Sequence, residues 1–504
     1  MDQNPVESPR YTAMLYFLGR YKRWLVAILS MTVVSTAVDS LSIVAFFPML
    51  SALLSNSQED AGGILGFMIR LVELVPISNP IISASVLLIL VFLVKTIVTL
   101  FREIVTAQAA ARVHYDVTKE IMDRYSNAHY QYILDNQQGT LLYNSLTAPT
   151  SVPGLLNTVS RMATALFTTL TIIVILISIL PFAALALIVL GVAYYTSMHY
   201  LSKKISYHLG LLNAAGGMEK TVIVNEFLNG FRQIVILNVA KWWTDKFEHV
   251  LRILRSVEVK QAVWQAVPRP TMELSAVLVM LGLILIISLS SSGGVIDSLP
   301  TVGVFAVALT RLMPPLTTVG TLRMRLMTTL PNLDLAYGVV TGPVPTRIQG
   351  HRELESFQKA IEFNNVSFSY RDREPLFDGL DVTFEKGAVT AIVGPSGAGK
   401  TSIINLILGL FEPTRGTITV DGIPLQEIKQ ETWLSKIGFV SQEPFTYHAT
   451  VSENVLLGRI GRSQEAIYQA AKTANAHEFV SQLPDDYETV VGERGMKLSG
   501  GQQQ

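Results

Sequence analysis

Two short runs hold the residues best spaced for chemistry. Residues 394–401 read GPSGAGKT, which satisfies G-x-x-x-x-G-K-[ST], the loop whose backbone N–H groups cradle phosphates ahead of a helix N-terminus. Gly394 and Gly399 let the backbone approach phosphate oxygens with no Cβ in the way, and Pro395, Ser396, Gly397 and Ala398 complete the turn. Lys400 offers a point charge to the β- and γ-phosphates and Thr401 a hydroxyl to Mg²⁺, while the helix that continues through Ser402 adds its positive dipole end. A plain glycine-rich turn is the alternative, and the apolar strand expected before this run and the helix after it weigh against it. Residues 498–502 read LSGGQ. There Ser499, Gly500, Gly501 and Gln502 bring a hydroxyl, bare N–H groups and a helix start to one anion site.

Two further side chains belong near the phosphate loop. Tyr370 ends the first strand of the soluble part and can stack on a nucleotide base; otherwise it is a strand-edge tyrosine. Gln442 ends a strand in FVSQEP, from where its amide can reach Mg²⁺ or an attacking water; a surface glutamine is the plain reading. Together these residues predict an α/β phosphate-loop domain that takes ATP with Mg²⁺, with Lys400 and Gln442 in the catalytic roles and Thr401 and Gln442 on the metal.

Something must position such a domain, and most of the chain is unlike it. The 504 residues have a mean hydropathy of +0.39 and 15% charged residues, against roughly 25% in soluble domains. Formal net charge is zero, which gives no reason to expect a nucleic-acid partner. There is no cysteine, so disulfides and thiolate metal sites are excluded. The polar opening MDQNPVESPR is not a cleaved signal peptide, so the first apolar run reads as a retained span.

Apolar runs long enough for the hydrocarbon core lie near 24–52, 81–101, 155–180, 181–199, 273–290 and 300–320. The third and fourth meet at Leu180-Pro181, a tight turn. Lys and Arg crowd the start of span one and the connection between spans four and five, whereas 290–297 has no cation and 55–80 only Arg70. That asymmetry makes the N-terminus and the C-terminal half cytoplasmic. The polar stretches 102–153 and 200–262 read as helices projecting into the cytoplasm, with turns near 137–142 and 218–227 as candidate contacts for the soluble domain. ILGFMIRLVELV (64–75) reads as a short helix, either on the membrane surface or packed on its own span ends. The expected plan is a membrane domain over 1–340, a Pro/Gly-rich linker over 341–358, and an α/β domain over 359–504 with strands in GAVTAIVGPSG and IGFVSQEP, an Asp-Gly hairpin turn in TITVDGIPL, and short helices over 452–497.

GPSGAGKT, Gln442, VGERG (491–495) and LSGGQ stand in the order of ABC exporter ATPase domains, and six preceding spans make the chain resemble a half-transporter. The resemblance implies head-to-tail homodimers, in which Ser499, Gly500, Gly501 and Gln502 complete the ATP site of the other protomer. It also implies residence in the bacterial cytoplasmic membrane. AVPRPTMELSAV (266–277), ALTRLMPPL (308–316) and VDSLSIVAFFPML (38–50) further resemble bacterial lipid-linked oligosaccharide flippases. The cargo so implied is a lipid-linked oligosaccharide or related glycolipid; a peptide, lipid or drug exporter, or an ATP-binding partner of a complete half, are the alternatives.

Three cations fit that cargo. Lys95 sits inside span two, Arg311 inside span six, and Arg269 between Pro268 and Pro270 at the cytoplasmic side of span five. An intramembrane cation is costly and usually faces a polar cavity, where it suits a pyrophosphate. Alternatively Arg269 snorkels and the others pair with buried acids. The flippase pattern carries a further Arg where this chain has Thr317 and Thr318. The Asp-Glu strand and the downstream His that such ATPases place after the signature do not occur before Gln504, so the sequence predicts a piece of a longer parent, inactive as an ATPase by itself.

Overall fold

The computed structural model describes residues 11–44, 79–179, 181–290, 299–347, 350–371, 374–442, 444–459, 461–492 and 497–504. The chain divides into two compact units, Met1–Arg347 and Ile348–Gln504. The helix expected over 64–75 lies outside the described residues, as does most of VGERG.

The first unit is helical throughout its described length. Helix α1 (Thr12–Arg20) precedes α2 (Lys22–Val44) and the 47-residue α3 (Pro80–Ser126), which is about 70 Å long at 1.5 Å per residue. α3 starts where Pro80 needs no N–H partner and the Asn79 side chain accepts from Ile81 N. Short helices α4 (Tyr130–Asp135) and α5 (Gln138–Leu146) reverse the chain into α6 (Ser151–Ile179), followed by α7 from Pro181 to Leu201. A π-helical turn, Ser202–Ser206, leads into α8 (Tyr207–Asn229), then α9 (Phe231–Ile236), α10 (Ala240–Ala266), α11 (Pro268–Ser290) and α12 (Leu299–Thr341). In its described residues each expected span therefore falls on a helix, and the two polar stretches are largely helical as anticipated. Among the described residues one helix, Ile81–Ser126, meets a length-and-composition test for crossing a membrane.

One turn moves. Residues 218–227 lie inside α8, and the reversal comes later, around Asn238, whose φ is 54°. The glycine pair in α8 serves close packing: a Cβ on Gly216 would stand 2.8 Å from Leu254 Cδ2, and one on Gly217 would stand 3.0 Å from the Tyr143 ring. Near the other expected turn, Gln137 is the reversal and 138–142 already belong to α5.

Phe17, Val117, Ile121, Leu155, Met327 and Leu330 are buried in one cluster that packs α1, the polar half of α3, the start of α6 and the end of α12. The end of α12 is further clasped by α3. Arg124 donates to the carbonyls of Val339 and Gly342 at 3.2 and 3.1 Å, and the guanidinium of Arg347 reaches Ala128 O and Ser126 O at 3.2 and 2.7 Å.

The second unit carries an antiparallel sheet of order β2-β1-β3-β4, made of β1 (Ala360–Phe368), β2 (Phe377–Glu385), β3 (Arg415–Val420) and β4 (Ile423–Pro424). Helix α13 (Lys400–Ile407) buries Leu406 against Phe363, Phe368 and Phe411 of this sheet layer. The hairpin between β3 and β4 turns at Asp421 and Gly422, both at positive φ, as the Asp-Gly pair predicts. Helices α14 (Gln430–Leu434), α15 (Val451–Leu456), α16 (Gln464–Thr473), α17 (His477–Val480) and α18 (Gly500–Gln503) follow.

The strands expected in GAVTAIVGPSG and IGFVSQEP do not form: 388–394 and 437–441 are without assigned strand structure. Strand character needs a ladder partner, and none of the described residues supplies one to either segment. Their apolar side chains stay exposed as a result, Val393 to 87% and Val440 to 73%.

Candidate nucleotide site and intramembrane charges

The phosphate loop is held in a shape that only glycine allows at its hinge. Gly397 and Gly399 both sit at φ 85°, and a Cβ on Gly399 would run into the Phe377 ring. Gly399 then caps α13, so the helix opens at Lys400 with its free N–H groups turned toward the loop. The Ala398 N–H donates to Pro395 O at 3.2 Å, which closes a tight turn over Pro395, Ser396 and Gly397. The ammonium of Lys400 donates to Gly394 O at 3.0 Å and Pro395 O at 2.8 Å. The cation is thereby held over its own loop, where a terminal phosphate would meet it. Thr401 is exposed beside it, with its hydroxyl open to a metal. These donors fit a nucleotide phosphate with Mg²⁺; among the described residues no group of three His, Cys, Asp or Glu offers a different metal centre.

Tyr370 is placed next to this loop but mainly by the core. Its ring packs edge-on against Phe368 and Phe411 at 5.0 and 5.3 Å, and its hydroxyl shares a 2.8 Å hydrogen bond with Ser402. Gln442 is exposed at the end of the unpaired segment 437–442. Ser499 caps α18 in a reciprocal box: its hydroxyl accepts from Gln502 N at 3.3 Å, while its own N–H donates to the Gln502 side chain at 2.9 Å. The Ser499 hydroxyl keeps its proton for an anion, and Gly500 and Gly501 carry exposed N–H groups at the helix start. At the β3–β4 turn, Asp421 accepts from the N–H groups of Gln358, Lys359 and Ala360 at 2.6, 2.6 and 3.0 Å. Partial burial works against the Asp421 charge, yet these donors hold its carboxyl below the usual range. This clamp ties the entry of β1 to the hairpin turn.

The model of the ABC transporter transmembrane region matches residues 25–313, and that of the ABC transporter family matches residues 377–504. The chain belongs to the ABC transporter family. Its fold is that of an Atm1-type exporter: a bacterial Atm1-family ABC exporter solved with ATP bound superposes with a TM-score of 0.75, covering 96% of this chain and 82% of that one at 20% identity. An ATP-dependent lipid A-core flippase of Legionella pneumophila is 31% identical over 57% of this chain and 48% of its own length. An uncharacterised ABC transporter ATP-binding protein of Sinorhizobium fredii is 43% identical over 40% of this chain and 34% of its own length, and a Staphylococcus aureus multidrug export protein named as such only putatively is 43% identical over 31% and 27%. The chain thus spans about a quarter to a half of the length of these bacterial relatives.

In the membrane unit of this ABC transporter the three cations have different surroundings. Lys95 pairs with Asp39 at 3.1 Å and lies 3.4 Å from the Ser42 hydroxyl. Arg269 pairs with Glu273 one turn on, at 3.1 Å, with most of its side chain exposed. Arg311 is exposed on α12, with no ion-pair partner among the described residues. Thr317 and Thr318 turn their hydroxyls back onto the Pro314 carbonyl at 2.9 and 2.8 Å, a use that bends a proline-bearing helix rather than serving a ligand. The sequence reading missed Arg102, which reaches Ser35 and Thr164 across the α2–α3–α6 seam at 3.5 and 3.4 Å. The signal was present in α2, where Thr32, Ser35, Thr36, Asp39 and Ser42 recur at helical spacing inside an apolar run.

Proposed function

We propose that this chain is part of an ATP-driven exporter of the bacterial cytoplasmic membrane, with residues 1–340 as the transport domain, 341–358 as linker and 359–504 as part of the ATPase domain. The observation that carries this is the Lys400 ammonium poised over the phosphate loop at the opening of α13. ATP with Mg²⁺ supplies the energy through its terminal phosphate bond. This chain's own contribution is to bind: the loop amides and Lys400 hold the phosphates, Thr401 and Gln442 reach the metal, and Tyr370 flanks the base. Ser499, Gly500, Gly501 and Gln502 offer their hydroxyl and amides to a nucleotide held by a second half-transporter, read here as a second copy.

The cargo we infer is an anionic glycolipid, of which a lipid-linked oligosaccharide is the favoured case. Support comes from the exposed cations Arg269 and Arg311 and from relatives named as lipid A-core flippases. In reconstituted vesicles, with the full parent protein, the glycolipid should stimulate ATP turnover. R311A should lower that stimulation about ten-fold, the scale of one charge-assisted hydrogen bond. Unchanged stimulation in both R269A and R311A would remove the anionic head group from the reading. The Lys95–Asp39 pair favours a second reading, a drug or peptide exporter, because it neutralises one of the three cations. In that case R311A leaves stimulation intact and an uncharged amphiphile stimulates equally.

A further inference from the structure

The five-residue π-turn Ser202–Ser206 interrupts the run from α7 into α8, a distortion that gathers at functional sites. It buries the Ser202 hydroxyl, which donates to His199 O at 2.9 Å, and leaves His199, Lys203 and Lys204 exposed. Helix α12 packs tightly against this stretch. A Cβ on Gly320 would stand 2.8 Å from the Tyr194 hydroxyl and 3.5 Å from Met198 Cγ, and Met198 and Met324 share one buried cluster. That packing brings Arg323, next to Met324, alongside His199, next to Met198. The charges acting on the His199 imidazole are accordingly both positive, Arg323 and then Lys203.

The Arg323 Nε is buried with no hydrogen-bond partner. Among the described residues no carboxylate forms an ion pair with His199, Lys203, Lys204 or Arg323. Like charges repel, and a buried N–H without an acceptor is costly; an anion relieves both. The depth is also informative. His199 lies about 27 Å along α7 from Pro181, and Arg323 about 36 Å along α12 from Leu299, so both reach the cytoplasmic headgroup level of a core about 30 Å thick. Tyr195 and Tyr200 are exposed at the same level, as interfacial aromatics are.

We propose that His199, Lys203 and Arg323 form a binding site for the phosphate of an anionic phospholipid of the cytoplasmic leaflet. It uses residues other than Arg269 and Arg311, and its lipid does not depend on the cargo.

The test uses the full parent protein in phosphatidylcholine nanodiscs, without nucleotide or cargo, titrated with phosphatidylglycerol. Bound lipid is counted by native mass spectrometry. R323Q and K203Q should each weaken phosphatidylglycerol binding about ten-fold, as expected for loss of one charge-assisted contact, whereas exposed neighbour R325Q should bind like the parent. In pure phosphatidylcholine R323Q should melt no lower than the parent, because it removes an unbalanced cation; this shows that it is folded. Parent-like binding in both R323Q and K203Q overturns the site. Displacement of phosphatidylglycerol by millimolar inorganic phosphate overturns the lipid assignment in favour of a soluble phosphate. Because no ATP or glycolipid is present, failure of the cargo reading leaves this result untouched.

Discussion

Lys400 and Asp421 show how single residues serve the nucleotide unit in different ways. The Lys400 ammonium is satisfied by two loop carbonyls, so it holds the loop in shape as well as offering charge. K400A should therefore lower affinity for a fluorescent ATP analogue by at least ten-fold while leaving the circular dichroism of the protein unchanged; retained affinity would place the phosphate elsewhere. Asp421 is a stability residue. Its folded carboxyl lies below the ordinary value, so its stabilisation is complete above the unfolded value of about 3.9 and drains away as pH falls through the folded one. Asn tolerates the positive φ of this turn, so D421N removes the charge and one of the two acceptor oxygens without straining the backbone. Solvent exposure limits its cost to about 1 kcal/mol at neutral pH, seen as a lower unfolding midpoint, and the gap from the parent should close as pH approaches 3.

At the scale of elements, close helix approach decides the membrane unit. A Cβ on Gly210 of α8 would stand 2.7 Å from the Thr328 carbonyl of α12, and neither helix backbone can yield cheaply. G210V should cost about 2 kcal/mol or more, read as a fall in melting temperature in detergent; a neutral result would mean that the helices part easily. Helix α1 is tethered differently, by Arg20 to Glu120 of α3 at 2.6 Å. Burial opposes the Arg20 charge, yet Glu120, Tyr21 and Tyr16 raise its affinity for a proton overall. The pair is partly exposed, so E120Q should cost only about 1 kcal/mol and should increase protease cleavage near residues 11–20. The same scale explains two misread features of the sequence. The turn expected near 218–227 does not form there, because these residues lie inside α8, where the preceding Gly216 and Gly217 pack against Leu254 and Tyr143. Residues 388–394 and 437–441 have strand composition but lack a ladder neighbour.

For the whole molecule, the signature at 498–502 and the phosphate loop at 394–401 are, under the proposed function, complementary halves of a nucleotide site. If two copies share their sites head to tail, an equal mixture of K400A and G500D chains should recover about a quarter of the sites that the parent dimer forms, because half of the dimers are mixed and each holds one intact site, while either variant alone binds ATP in none with both halves intact. Recovery is measured by nucleotide occlusion in the full parent protein; no recovery on mixing would overturn the shared-site reading.

The six long helices and the phosphate loop were legible from sequence because each rests on local physics. Apolar run length matches the bilayer, and G-x-x-x-x-G-K-[ST] has few other uses. Local pattern also gave the Asp421-Gly422 hairpin turn. It could not show that Lys95 meets Asp39, that Thr317 and Thr318 bond to Pro314 O, or that His199 lies beside Arg323. The first and last of these join residues far apart in the chain, and all depend on which helix faces pack and how a proline-bearing helix bends. Sequence determined which segments can lie in a membrane and which can hold a phosphate. Tertiary structure alone decided which charges are already paired and which still need an anion, because pairing depends on distances of 3–4 Å that composition and spacing along the chain do not encode.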